Sequence, residues 1–218
     1  MKNKYCILII CVVAFLTSCN RVELPTENDS NYFPVYLGKT SIYRVDSIHF
    51  DAFRKQSDTV HYFVKERIEE LFSDSPKQIW VLNRYMSRDS QETWDLNAQF
   101  LLEKSSDFVK VKEYNVDLVK LIFPILERKS FNINTFNSNE VKNARLLLVD
   151  KPQTINKVKY DKCTQVFVQN DSNFFEHKKH IEYYARTVGL IYKEFIDITI
   201  QNNEQRGVKY AYTLIAHE

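Results

Sequence analysis

The sequence predicts a mainly β protein with few or no long helices. Three observations carry this. Aromatic residues make up 14% of the chain, with 13 Tyr, 15 Phe and only 3 Gly, and such side chains suit pleated, half-buried surfaces. Apolar and polar residues alternate over short segments separated by polar breaks. No repeat of fixed period and no low-complexity tract interrupts that pattern.

The segments follow in order. Thr40–Phe50 sets Ile42, Arg44, Asp46 and Ile48 against Tyr43, Val45, Ser47 and His49. Residues 57–72 are ambiguous: Val60, Phe63, Val64, Arg67, Ile68, Leu71 and Phe72 recur at helical spacing, with Ser57 or Asp58 placed to cap. As a strand, the same stretch puts Tyr62, Val64, Ile68 and Phe72 on one face. Gln78–Arg88 places Trp80, Leu82 and Arg84 opposite Ile79, Val81 and Asn83. Thr93–Glu103, Phe108–Glu113, Val116–Phe123, Val141–Val149 and Tyr160–Gln169 are further strand candidates, and His180–Arg186, Leu190–Gln201 and Val208–Ala216 complete them. Gly189 marks a bend between two strands. Asn202, Asn203 and Glu204 with Gly207 read as a hairpin turn region.

The N-terminus reads differently. Lys2 and Lys4 form a positive head, Tyr5–Leu16 is an uninterrupted apolar run, and Thr17 and Ser18 precede Cys19. This is the order of a secretory signal, and the apolar run is too short for a comfortable membrane span. Leu16-Thr17-Ser18-Cys19 resembles the lipobox of bacterial lipoprotein precursors. The resemblance implies cleavage before Cys19, diacylglycerol on its thiol and acylation of the new amine. Two or three acyl chains, at about 0.8 kcal/mol per buried methylene, anchor durably where one chain does not. A plain export signal and an uncleaved anchor are the other readings. The position of the thiol and the small residues before it favour the lipoprotein.

On this reading residues 1–18 are the signal, 19–31 a polar tether, and 32–218 a single β-rich domain. Removing 18 of the 218 residues leaves 200, enough for one core. Lys2 and Lys4 are two of the 30 basic residues, so the processed chain balances 28 against 28 acidic ones. No basic surplus remains for nucleic acid or for an anionic bilayer surface. Cys6 and Cys11 leave with the signal and Cys19 carries lipid. Cys163 then stands alone in a strand-like run, read as a small buried apolar side chain rather than a reactive thiol.

Phe33-Pro34-Val35 with Gly38, followed by Tyr43-Arg44-Val45-Asp46-Ser47, resembles the opening of a family of uncharacterised Bacteroidota lipoproteins. Lys120-Leu121-Ile122-Phe123-Pro124 resembles its mid-chain motif, and Tyr184–Glu194 (YARTVGLIYKE) its C-terminal signature. A Trp-Asn-Gly segment usual after the mid-chain motif is replaced here by Ser130-Phe131-Asn132-Ile133-Asn134. The resemblance implies a strongly curved antiparallel sheet, half-barrel or barrel-like, similar to the open half-barrels of lipoprotein carriers, and it makes residues 57–72 a strand. No activity attaches to the family, and a shared fold alone does not fix a function.

Several residue groups invite chemistry. His177 and His180, with Glu176 and Glu182 beside them, are the nearest approach to a metal cluster. On a strand their three-residue spacing sends them to opposite faces, and Lys178 and Lys179 repel a cation, so no metal and no cofactor is expected. His49 and Asp51 share a strand face, with His61 further on. No Gly-x-Ser-x-Gly turn or phosphate loop accompanies them, so no catalytic residue is assigned. Asp46-Ser47-Ile48 and Asp58-Thr59-Val60 resemble the Asp-Ser/Thr-apolar acceptor of O-glycosylation in exported Bacteroidota proteins, which makes Ser47 and Thr59 candidate modification sites. The aromatic supply (Tyr32, Phe33, Tyr36, Trp80, Trp94, Phe123, Tyr183, Tyr184, Tyr192) reads first as core, and becomes a binding surface if a concavity is left uncovered.

The expected protein is therefore a non-enzymatic lipoprotein of the cell envelope. It is held to a bilayer, on the outer-membrane reading, through acylated Cys19. Its β domain would bind or carry an apolar ligand or an envelope partner protein. A structural subunit of an envelope complex and an unrecognised envelope hydrolase are the alternatives.

Overall fold

The alternating segments pair into one antiparallel sheet of twelve strands. The computed structural model describes residues 28–73, 78–90 and 93–218. The first six strands are β1 (Thr40–Asp51), β2 (Gln56–Ser73), β3 (Gln78–Ser87), β4 (Asp95–Lys104), β5 (Phe108–Glu113) and β6 (Val116–Ile122). The second six are β7 (Ser130–Asn132), β8 (Asn143–Ile155), β9 (Val158–Ser172), β10 (Glu176–Ala185), β11 (Gly189–Gln201) and β12 (Glu204–His217).

Sequential strands are neighbours throughout, and β12 returns to pair with β1 from Ser41↔His217 to Phe50↔Gly207. The sheet is thus an up-and-down barrel, nearly closed, with one unsealed seam between β6 and β7. The seam is crossed by the Val119 N–H donating to the Ile133 carbonyl (2.9 Å) and the Asn137 side-chain amide donating to the Asp117 carbonyl (2.6 Å). Among the described residues there is no α-helix; the one helical element is a 3₁₀ turn at Asp29–Tyr32.

The 57–72 ambiguity resolves to the 18-residue strand β2. It pairs with β1 on one edge and β3 on the other, and two ladders of backbone hydrogen bonds outweigh a weak local preference for helix. Three tight hairpins use Tyr114-Asn115, Asn156-Lys157 and Asn202-Asn203, both residues of each pair having positive φ. That is the type I′ geometry that matches strand twist, and Asn tolerates it well. Gly207, expected in the last of these turns, lies inside β12 instead.

The core follows the period of two. Tyr43 and Val45 on β1 face Val64 on β2 and Leu214 on β12, all 3% exposed or less. A larger cluster gathers Ile68, Leu82, Phe100, Leu102, Val109, Val111 and Leu121 across β2–β6 with Val166 and Tyr184. Cys163 is fully buried beside Ala185 on the neighbouring strand, and burial pushes its thiol up to about 11, so it is an inert core group.

The segment before β1 packs across one end of the barrel. The Asn28 side chain accepts from Ser30 N–H (3.0 Å) and starts the 3₁₀ turn. Tyr32 is fully buried and donates its hydroxyl to Asp150 (2.8 Å). Lys104 Nζ donates to the carbonyls of Ser30 (3.1 Å) and Phe33 (2.9 Å). Arg186 binds the whole group: Nε and Nη2 to Asp150 (2.8 and 3.1 Å), Nη2 to Asp29 (3.0 Å), and its guanidinium over the Tyr32 ring at 4.5 Å. Arg186→Ala leaves the buried Asp29 carboxylate, among the described residues, with the Ile125 N–H (2.8 Å) as its remaining partner. The expected result is a loss of about 2–3 kcal/mol in urea unfolding, with faster chymotryptic cleavage at Tyr32-Phe33 seen by mass spectrometry. An unchanged cleavage rate would show that this segment is held without Arg186.

Candidate functional site: the barrel interior

Strands β1–β6 and β10–β12 send alternate side chains inward around a cavity of about 220 Å³. Its wall is layered by the strand period. Ile68, Leu82, Val111 and Tyr184 form an apolar layer near the end covered by Phe33 and Pro34. Two residues along each strand, on the next inward rung, stand Glu66, Arg84, Glu113 and Glu182. Lys120 and Lys193 join that second layer, with Tyr210 and Tyr212 from β12. An apolar floor thus meets a belt of charge inside the barrel.

The belt is internally paired. Arg84 Nε donates to Glu66 (2.9 Å), Lys120 Nζ lies 2.7 Å from Glu113, and Lys193 Nζ lies 3.5 Å from Glu182. Glu182, only 4% exposed, also accepts from the Tyr184 hydroxyl (2.6 Å) and meets His180 Nε2 (3.1 Å). Burial alone would raise the Glu182 carboxyl. The Lys193 ammonium, the His180 hydrogen bond and Lys120 outweigh it and hold the group well below the usual carboxylate range. Burial lowers the His180 imidazole despite Glu182 beside it. An ionised Glu182 only accepts, so Nε2 carries the proton in the neutral ring and Nδ1, buried without a protein partner, is an acceptor. On the far side of the belt lies a second cavity of about 340 Å³. The two cavities share Glu113, Lys120, Glu182, Lys193 and Tyr210 as a common wall.

The belt makes stability acid-sensitive. Burial would raise Glu113, but Lys120 and, less strongly, Lys193 and Arg84 bring it down to about 2. A carboxyl depressed on folding contributes fully above its unfolded value near 4.5, and that contribution fades as pH falls toward about 2. We expect about 3 kcal/mol from Glu113 to be lost across that window, seen as a falling urea midpoint, and a flatter profile in Glu113→Gln. Identical profiles for the two proteins would show that Glu113 is solvated.

The groups singled out by sequence do not assemble. His49 is exposed, and Asp51 instead caps the β1–β2 turn by accepting from the N–H groups of Phe53 and Arg54 (3.0 and 3.1 Å). His61 pairs with Asp46 at 2.7 Å. His177 and His180 both lie in β10, where their spacing directs them to opposite faces, and among the described residues no group of three metal-binding side chains forms. Ser47 is half-buried opposite Tyr210 and Val60, while Thr59 is exposed opposite Ile48. Cys19 lies outside the described residues. Of the aromatics, Tyr32, Phe33 and Tyr184 belong to the floor of the cavity and its cover, Trp80 and Phe123 to the core, and Tyr36 is 48% exposed.

The belt is not legible in the sequence. Charged residues at alternate strand positions look like a solvated face, and only barrel closure turns that face inward. Three stretches far apart in sequence nevertheless meet here: Phe33 and Pro34 with Tyr43, Lys120, and Tyr184 with Gly189, Leu190 and Lys193 all line the cavity.

Fold and site together define an up-and-down β-barrel with a charge-belted interior cavity. No protein-family model matches the chain, and no curated protein does. Among solved structures it is similar to a Bacteroides fragilis protein assigned as exported, with a YmcC-like fold (10% identity, TM-score 0.45, covering 85% of this chain and 98% of that one). It is also similar to a Parabacteroides distasonis protein assigned as a lipoprotein (11% identity, TM-score 0.46, covering 86% and 98%).

Proposed function

We propose that this chain is a lipid-anchored envelope protein whose barrel interior binds an apolar or amphipathic ligand without transforming it. The observation that carries the reading is the cavity of about 220 Å³, with Ile68, Leu82, Val111 and Leu190 supplying an apolar wall inside the barrel. Such concave, mostly apolar sites with a few placed polar groups are the usual form of small-ligand pockets. The binding role, rather than catalysis, is favoured by the scatter of His49, Asp51 and His61 over separate surface contacts. Native mass spectrometry of the mature protein from its own membrane tests this. A bound species should be present in the wild type and lost in Leu190→Trp, with the fold checked by circular dichroism. A wild-type mass equal to that of the acylated polypeptide alone would sink the carrier reading.

Attachment rests on Cys19 and the lipobox. Cys19→Ser is expected to release the protein from the envelope fraction, and the outer membrane is the site we favour. Modification of Ser47 or Thr59 belongs to the same proposal and would add glycan mass to the mature chain.

A second reading, docking to an envelope partner, is favoured by one feature. The up-and-down topology puts the β1–β2 and β9–β10 turns on the end away from the N-terminal segment, and their tips carry Phe53 (96% exposed), Phe174 (91%) and Phe175 (76%). Isolated exposed aromatics are common, but these three share one barrel end, two on one turn and one on another with the β11–β12 turn between them.

A further inference from the structure

We propose that the ligand of the barrel interior is an amphiphile with an anionic head, and that Lys39 receives that head. This rests on the interior being a ligand site and adds the chemical class.

The charge count of the wall is the starting point. Three carboxylates line the cavity, and each already has its cation: Glu66 with Arg84, Glu113 with Lys120 and Glu182 with Lys193. Lys39 is a fourth cation with no carboxylate of its own. Its Nζ donates to the Ser41 hydroxyl (3.0 Å), and among the described residues it makes no ion pair. The cavity is therefore built with one positive charge more than its walls neutralise. Lys39 is half-buried, the one carboxylate that acts on it, Glu66, is already bonded to Arg84, and an anion placed beside the ammonium offsets its partial desolvation.

Position supports the same conclusion. Lys39 sits where the N-terminal cover meets the barrel: its Nζ and the Pro34 ring both come within 4 Å of where a side chain on Gly189 would begin. The apolar layer starts at the same level, because Gly38 N–H donates to the Ile68 carbonyl (2.7 Å) and Ile68 N–H to the Lys39 carbonyl (3.0 Å). An acidic head on Lys39 thus leaves its chain against Ile68 and Leu82, below the belt. Burial also lowers the Lys39 ammonium to about 8, so at neutral pH it is still charged and poorly solvated.

Binding to the lipidated protein in phosphatidylcholine nanodiscs tests the proposal, with empty nanodiscs subtracted. The probes are radiolabelled decanoate, decyl phosphate and decanol, with unlabelled inorganic phosphate as competitor. Decanoate and decyl phosphate are expected to bind at least tenfold more tightly than decanol. Lys39→Met should bring both acids down to the decanol level and leave decanol unchanged. Lys39→Arg should keep the preference, which separates loss of charge from loss of fold. Equal binding of decanoate and decanol by the wild type would overturn the anionic head while leaving the apolar cavity intact. Competition by inorganic phosphate as strong as by decyl phosphate would point to a free-anion site and overturn the amphiphile. Binding of none of the three would remove the interior-cavity reading itself.

Discussion

Lys193→Met is expected to cost about 3–5 kcal/mol in urea unfolding at neutral pH, the range found when one partner of a buried ion pair is removed. The ammonium stands 3.5 Å from Glu182, and Glu182 is 4% exposed. Without it the carboxylate keeps the Tyr184 hydroxyl and His180 Nε2 but loses its nearest full positive charge. Met fills nearly the same volume, so the loss is electrostatic rather than a cavity. Two further results identify the cause. Adding Glu182→Gln to Lys193→Met should restore much of the stability, because no unmatched charge then remains buried. In Lys193→Met alone, stability should rise as pH falls from 7 toward 5. Glu182 would then be raised above its unfolded value, so its penalty is relieved by protonation as the solution becomes more acid. A loss below 1 kcal/mol would mean that the belt is bathed in solvent.

Gly207→Ala should be almost as damaging, by more than about 3 kcal/mol. Gly207 lies in β12 with φ +135°, and a Cβ there would stand 2.0 Å from the Asp197 carbonyl oxygen on β11. The obstacle is backbone, which no rotamer change clears, so the β11–β12 ladder must part. Because β12 closes the barrel against β1, separation there should propagate into both ladders. Hydrogen exchange should show lost protection from Phe50 to Ile48 as well as around Ile198. Gly38→Ala is the control: its φ is +84°, yet nothing lies within 4 Å of the added methyl group, so only backbone strain of about 1–2 kcal/mol is expected there.

Much of the architecture is legible in the sequence. The alternation of Tyr43 and Val45 against Arg44 and Asp46 gave β1, and Phe108–Glu113 coincides with β5. β7 was not legible: three residues of one polar-rich loop become a strand only because β8 offers them an edge. Residues 57–72 show the opposite problem, a clear pattern with two periods in it, decided by neighbours the local sequence does not contain. The functional interior was the hardest part. Glu182 and Lys193 lie eleven positions apart and meet through the β10–β11 register, and Lys39 becomes a cavity residue only because the preceding segment folds over the barrel end. One clue was present: in Ile68/Glu66, Leu82/Arg84 and Val111/Glu113 the apolar residue and the charged one share a strand face, which a simple solvated face does not require.

The hydrogen bonds between Thr40 and Glu218, N–H to carbonyl in both directions at 3.1 and 3.0 Å, fasten the first strand to the last. Assembly therefore has an order. The two meanders β1–β6 and β7–β12 can zip locally as each hairpin forms, but they join into one sheet only when β1 and β12, the strands farthest apart in sequence, meet. Until then β1 presents a bare, strand-ready flank, which is the kind of edge that recruits unwanted partners. A second copy of the chain can add a strand to β1 in this interval, before the ends are joined.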